Sequence, residues 1–220
     1  MKSLLIIIAL LLSTLSNFWI YWIFEKNFLL GELMIIETVL FFFLSLKKAP
    51  KVIPVLTLGL LLMISFYLIT NHFDKNIFSP SVIDSIRVRE RQPFYVAELG
   101  KIYTNRVGIY YFDNLRLAFN KISSNLFSGM DLSLYFSPRF PIDQEKLPLF
   151  LSPLFIIGFL SLLDRFKKLL IYIIPALLVS SLISLDSTLA PILMFPFITV
   201  CITQGLIKVI GFLKVYKAQL

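Results

Sequence analysis

Ser3–Phe24 is a run of 22 residues without a charged side chain. As a helix it is about 33 Å long, enough to cross the hydrocarbon layer of a bilayer. Its first half resembles a signal peptide, with Lys2, an apolar core and small residues after it. The apolar run continues through Asn17-Phe-Trp-Ile-Tyr-Trp-Ile-Phe24, past where cleavage would fall, so the sequence predicts an uncleaved first span. Five further apolar runs follow at Phe28–Leu46, Val52–Thr70, Leu147–Leu163, Leu169–Leu185 and Pro191–Ile207. Pro175 and Pro196 fall inside two of them and are expected to kink them. Hydrophobic residues make up 58% of the chain and charged residues 15%, a balance that lipid can accommodate and a soluble core of 220 residues cannot. The fold class expected is an all-α polytopic membrane protein of about six transmembrane helices. Residues 1–70 hold three spans, residues 71–147 form a largely helical external segment, and residues 148–220 hold three spans and a basic tail.

Charge placement gives these spans a direction. Lys47, Lys48 and Lys51 join the second and third, and Arg165, Lys167 and Lys168 join the fourth and fifth. Lys208, Lys214 and Lys217 follow the sixth, and Lys2 precedes the first. With an even number of spans all four clusters fall on one side, which the positive-inside rule makes cytoplasmic. Both termini are then cytoplasmic in a cell membrane, and residues 71–147 face outwards. The net charge of +8 is not a nucleic-acid signature: the external segment carries ten Lys/Arg against eight Asp/Glu, and the remainder flanks apolar runs. The single Cys201 excludes an intrachain disulfide, and the single His72 has no His or Cys neighbour with which to bind zinc. No Walker-type loop or GxGxxG occurs, so neither a metal nor a cofactor is expected.

Within the external segment, Ser79-Pro80 marks a turn or a helix start. Val107, Tyr111, Leu115, Ala118, Ile122 and Leu126 recur every three or four residues, predicting an amphipathic helix over 105–127 with Asp113, Arg116, Asn120 and Lys121 off its apolar face. That face either lies on the membrane surface or packs on the rest of the segment.

Two residues stand out chemically. Glu37 sits near the middle of the second span, where an acid costs roughly 2.5–3.5 kcal/mol on insertion scales. It is either part of a substrate or proton path or a structural group bonded to another helix. Glu32 lies about 140° round the same helix and forms no dyad with it; Glu25 beside Lys26 reads as an interfacial ion pair. Arg139, in the Pro- and aromatic-rich stretch before the fourth span, is the candidate contact for a lipid phosphate, because a guanidinium grips phosphate with two parallel hydrogen bonds.

The stretch RVGIYYFDNLRLAFNKISSNLFSGMDLSLYFSPRFP from Arg106, followed by LPLFLSPLFIIGFLSLLDRFKK, resembles the later half of bacterial C-type membrane glycosyltransferases of the family 39, protein-mannosyltransferase-like group. Asn120–Phe127 and Leu132–Phe136 stand for that group's external helix and its following segment, and Leu147–Leu163 with Gly158 for the next span. The resemblance covers about 160 residues from about position 52 onwards. It implies a polyprenyl-phosphate sugar as donor and a role in envelope glycosylation. Such enzymes carry catalytic acids in a long first external loop, whereas this chain has only a few residues there, around Glu25. No catalytic residue is therefore carried over, and activity would require a partner membrane subunit. Two other functions fit the same residues: a non-catalytic scaffold binding an envelope protein or lipid, and a small transporter using Glu37.

Overall fold

The computed structural model describes residues 2–46, 49–79, 81–137, 146–183 and 191–217. Among them the regular structure is helical, with no strands and one isolated bridge between Phe73 and Ile183. The membrane-type helices are α1 (Lys2–Leu15), α2 (Phe18–Lys26), α3 (Phe28–Leu44) and α4 (Val52–His72). Next comes a cap of α5 (Val82–Leu99), α6 (Lys101–Thr104), α7 (Arg106–Tyr110), α8 (Arg116–Met130) and α9 (Ser133–Phe136). The chain closes with α10 (Ser152–Leu162), α11 (Phe166–Ser181) and α12 (Phe195–Lys217).

Among the described residues three helical runs are long and apolar enough to cross a bilayer: Val52–His72, Leu149–Ser181 and Ile192–Phe212. The pair Ile6–Leu15 and Phe18–Lys26 makes a fourth if counted as one span. This is fewer than the six anticipated, for three physical reasons. First, the opening run is broken by 64°. Asn17 turns its side-chain oxygen onto the Trp19 N–H (3.0 Å), capping a new helix where the sequence promised a continuous one. Second, α3 has only 17 residues, about 26 Å, short for an upright span. Third, the segments anticipated as the fourth and fifth spans are joined without a loop into 33 continuous helical residues, Leu149–Ser181.

That long run is not straight. Ile156 and Leu177 would lie about 32 Å apart in a straight helix, yet both line one cavity of about 300 Å³. The chain folds back through a 3₁₀ turn at Leu163–Arg165, where Leu162 (φ −98°, ψ −5°) and Arg165 (φ −116°, ψ 5°) leave helical geometry. The Arg165 guanidinium donates to the Ser45 carbonyl at the end of α3, fixing the apex of this hairpin.

Contacts at the two ends of the bundle set the helix directions. At the cap end Asn27 donates to the Tyr67 hydroxyl (2.6 Å), and the Asp74 N–H donates to the Leu182 carbonyl (3.0 Å). At the opposite end Lys51 and Lys168 line one cavity, while Gln204 donates to Ser45 Oγ (3.3 Å). So α4 and α11 run towards the cap, and α3 runs away from it. Beside the cap, Trp19 packs on Phe195 (5.9 Å) and donates its N–H to the Lys146 carbonyl (3.1 Å). From this shared level α10 and α12 descend together and cross at Gly158 and Gly205. A Cβ on either glycine would overlap backbone of the other helix, at Cys201 and Leu154 respectively. Backbones approach this closely only through small residues, the usual way helices associate where lipid removes the hydrophobic drive. On the other side of α12, Ser13 of α1 and Thr203 share a hydrogen bond (2.5 Å).

Pro175 lies within α11 without ending it. Pro196 occupies the first turn of α12, where a missing N–H leaves no helical bond unmade. Glu32 is exposed. Among the described residues Glu25 and Lys26 form no ion pair; the one recorded pair joins Lys121 and Asp84.

Candidate functional site

Glu37 faces inwards on α3 between Met34 and Phe41, all three fully buried. Neither carboxylate oxygen has a hydrogen-bond partner among the described residues. Phe41, one turn on, packs against Tyr172 (4.4 Å), whose hydroxyl is already donated to the Leu193 carbonyl (3.0 Å). Arg139 falls at 138–145, outside the described residues. No group of three or more metal-ligating side chains occurs among the described residues.

The arms of the α10–α11 hairpin diverge, and the space between them is the cavity that reveals the fold-back. Its walls are almost wholly apolar, with Phe155 and Phe159 on α10, Ile173 and Leu177 on α11, and Phe197 on α12. Gly129, Met130, Leu132 and Tyr135 of the cap close its upper side. The α8 helix reaches that position by packing against α11: Asn125 donates to the Ser181 carbonyl (3.1 Å), and Gly129 lies one turn lower beside Leu177.

A second cavity of about 300 Å³ lies within the cap, between α5 and the start of α8, and its chemistry is opposite. Arg87 and Arg91, one helical turn apart, project from α5. Arg116 and Lys121 face them from α8, with Asn120 and Ser124 beside them. Tyr95 and Phe112 form an aromatic wall on which Arg116 rests, its guanidinium carbon 5.4 and 5.7 Å from the ring centres. Arg116 also donates to the Tyr95 hydroxyl (2.5 Å). A π-turn at Tyr111–Leu115 makes this alignment: the Arg116 N–H bonds back to the Tyr111 carbonyl, five residues earlier, and one extra residue enters the turn. Gly100, at φ +49°, links α5 to α6, and Tyr103 of α6 packs on Tyr95 (5.5 Å). Burial, then the Asp113 carboxylate at 3.2 Å, holds the Tyr103 hydroxyl above its ordinary pKa.

Among the described residues Asp84 is the one acid lining the cleft, and it is spent on Lys121 (2.8 Å). The Lys121 hydrogen bond, then those from the Ser81 side chain and backbone, pull its pKa from 3.8 down to about 2. A carboxylate depressed in the folded state stabilises above its unfolded pKa and loses that contribution as pH falls through the folded value. The α5–α8 contact is therefore expected to hold at pH 5 and loosen between about pH 4 and 2. Hydrogen exchange of α5 across that range reads this, and Asp84→Asn should remove the acid step; an unchanged step would assign it elsewhere.

Sequence reasoning put Arg116 and Lys121 off the apolar face but did not connect them to Arg87 and Arg91. The available signal was the i, i+4 spacing of Arg87 and Arg91; the fold-dependent part was their meeting with α8. Along that predicted apolar face the first half is exposed (Val107 73%, Tyr111 51%), whereas Ala118 is buried. Comparison of the chain with protein-family models, with curated proteins and with solved structures returned no match.

Proposed function

We propose that this chain is a multi-pass protein of the cell membrane that holds a long-chain lipid-linked substrate for envelope glycosylation. It is a shortened or split relative of lipid-linked-sugar glycosyltransferases, working with a partner membrane subunit that brings the catalytic acids. The observation carrying this reading is the apolar cavity between the diverging arms of α10 and α11, open enough to take a hydrocarbon chain and covered by the cap segment that leads into Arg139. The reading takes six membrane passages: the broken α1–α2 pair, α3, α4, the two arms of the hairpin, and α12. Lys51, Arg165 and Lys168 gather at the end away from the cap, which supports cytoplasmic termini and an outward cap.

The test is the lipid retained by protein extracted from membranes into nanodiscs. Polyprenyl-phosphate lipid is expected, identified by mass spectrometry, and its amount should fall in Gly129→Phe. A Cβ at Gly129 meets only Leu177 Cδ2 at 3.7 Å, so the ring has room to enter the cavity without breaking the backbone contact. Recovery of phospholipid alone, equal in both proteins, would refute this role. The scaffold reading draws on a different observation: Val82 (77%), Val107 (73%) and Phe119 (70%) leave apolar surface on the cap without a partner. Cross-linking in whole membranes to an envelope protein, with no polyprenyl lipid retained, would favour it.

A further inference from the structure

We infer that the cleft between α5 and α8 is a binding site for a phosphate-bearing anion. It stands apart from the hairpin cavity: Arg116 and Asn125 are nine residues apart on α8, about 180° round the helix, so the face turned to α5 is not the face turned to α11.

The charge balance makes the cleft more than a solvated basic surface. Four cations line it against one carboxylate, and that carboxylate is committed to Lys121, which is further anchored by the carbonyls of Asn76 (2.9 Å) and Ser79 (3.2 Å). Arg87, Arg91 and Arg116 remain without any acidic partner among the described residues. Three guanidiniums converging on one cavity repel each other, and an anion between them turns that repulsion into attraction. Arg116 is also held in place before any ligand arrives, by the Tyr95 hydroxyl and two aromatic rings. A donor fixed in this way loses little side-chain entropy on binding. The remaining groups are donors as well. Asn120 and Ser124 flank Arg116, and the Tyr95 hydroxyl, which accepts from Arg116, keeps its own proton to donate. A tetrahedral phosphate or a pyrophosphate fits a donor-rich, carboxylate-poor cavity of this size; a metal cation does not.

One chemistry has two sources here, a free phosphate compound or the head of an anionic lipid. Arg116 lies about 14 Å along α8 beyond Asn125, the residue that meets the end of α11. Calorimetric titration of the full chain in neutral detergent with inorganic pyrophosphate tests the first source. Comparison of nanodiscs of phosphatidylcholine with nanodiscs containing phosphatidylglycerol tests the second, read by hydrogen-exchange protection of α5 and α8. In whichever arm binding occurs, Arg87→Gln, Arg91→Gln and Arg116→Gln should each weaken it by roughly tenfold to a hundredfold. Arg89→Gln, on the opposite side of α5, should leave it unchanged. Arg87 and Arg91 have no partner to lose, so their variants keep the inference testable if Arg116→Gln disturbs the Tyr95 contact. Pyrophosphate binding assigns a soluble ligand, and protection only with phosphatidylglycerol assigns a lipid head; either supports the site. Binding in neither arm, or an Arg89→Gln loss equal to that of Arg91→Gln, overturns it.

Discussion

Gly158→Leu is expected to abolish the folded bundle, lowering stability by about 3 kcal/mol or more. Even the first carbon of the new side chain would overlap the Cys201 carbonyl in α12, and backbone cannot move aside as a flexible side chain can. The helices would have to separate along their length. That would strip cover from Phe155 and Phe197, which meet edge to face at 6.2 Å, and unseat the Ser13–Thr203 bond on the far side of α12. Gly59→Leu is the matched control, because nothing lies within 4 Å of the corresponding carbon in α4. Thermal unfolding in detergent, followed by helical circular dichroism and size exclusion, should show a large loss for the first and almost none for the second. Equal melting temperatures would mean that the α10–α12 crossing is not the element that holds the bundle.

The second large effect runs the other way. Glu37 is wholly buried with both side-chain oxygens unpartnered, and each such atom forgoes hydrogen bonds that water would supply. Glu37→Leu, similar in bulk and with no polar atoms, should stabilise the protein by about 2 kcal/mol or more. Glu37→Gln should gain less, since its amide still needs partners. A lower melting temperature for Glu37→Leu would show that the carboxyl is satisfied in the membrane and that its role is architectural.

The helical class of the chain and the sites of its apolar runs were legible because lipid imposes length and composition on each run, and both can be read residue by residue. Its geometry was less so. The break at Asn17 depends on one side-chain oxygen choosing the Trp19 N–H, and Asn is equally at home within an apolar run as at its edge. The joining of α10 to α11 hides in DRFKK, whose charges read as a loop although only the short 3₁₀ turn Leu163–Arg165 separates the two helices. Gly158 and Gly205 are isolated in sequence, 47 positions apart; their pairing exists only once two helices run side by side. The basic cleft was hidden for the same reason. Arg87 and Arg91 signal a shared face, but Arg116 joins them only through the extra residue of the π-turn and the docking of α5 on α8. Glu37 was identifiable as unusual because its type and its position in an apolar run disagree, and that disagreement needs no tertiary structure.

The pinned apex of the α10–α11 hairpin makes it a lever. Arg165 holds the pivot against Ser45, while the opposite end of α11 is bonded to α8 through Ser181 and Asn125. An arm of 16 residues is about 24 Å long, so each 5° of swing carries its far end by about 2 Å. Whatever widens the space between the two arms therefore displaces α8, and with it the wall of the cleft that carries Arg116. The width of the apolar cavity and the shape of the basic cleft are then two readings of one angle.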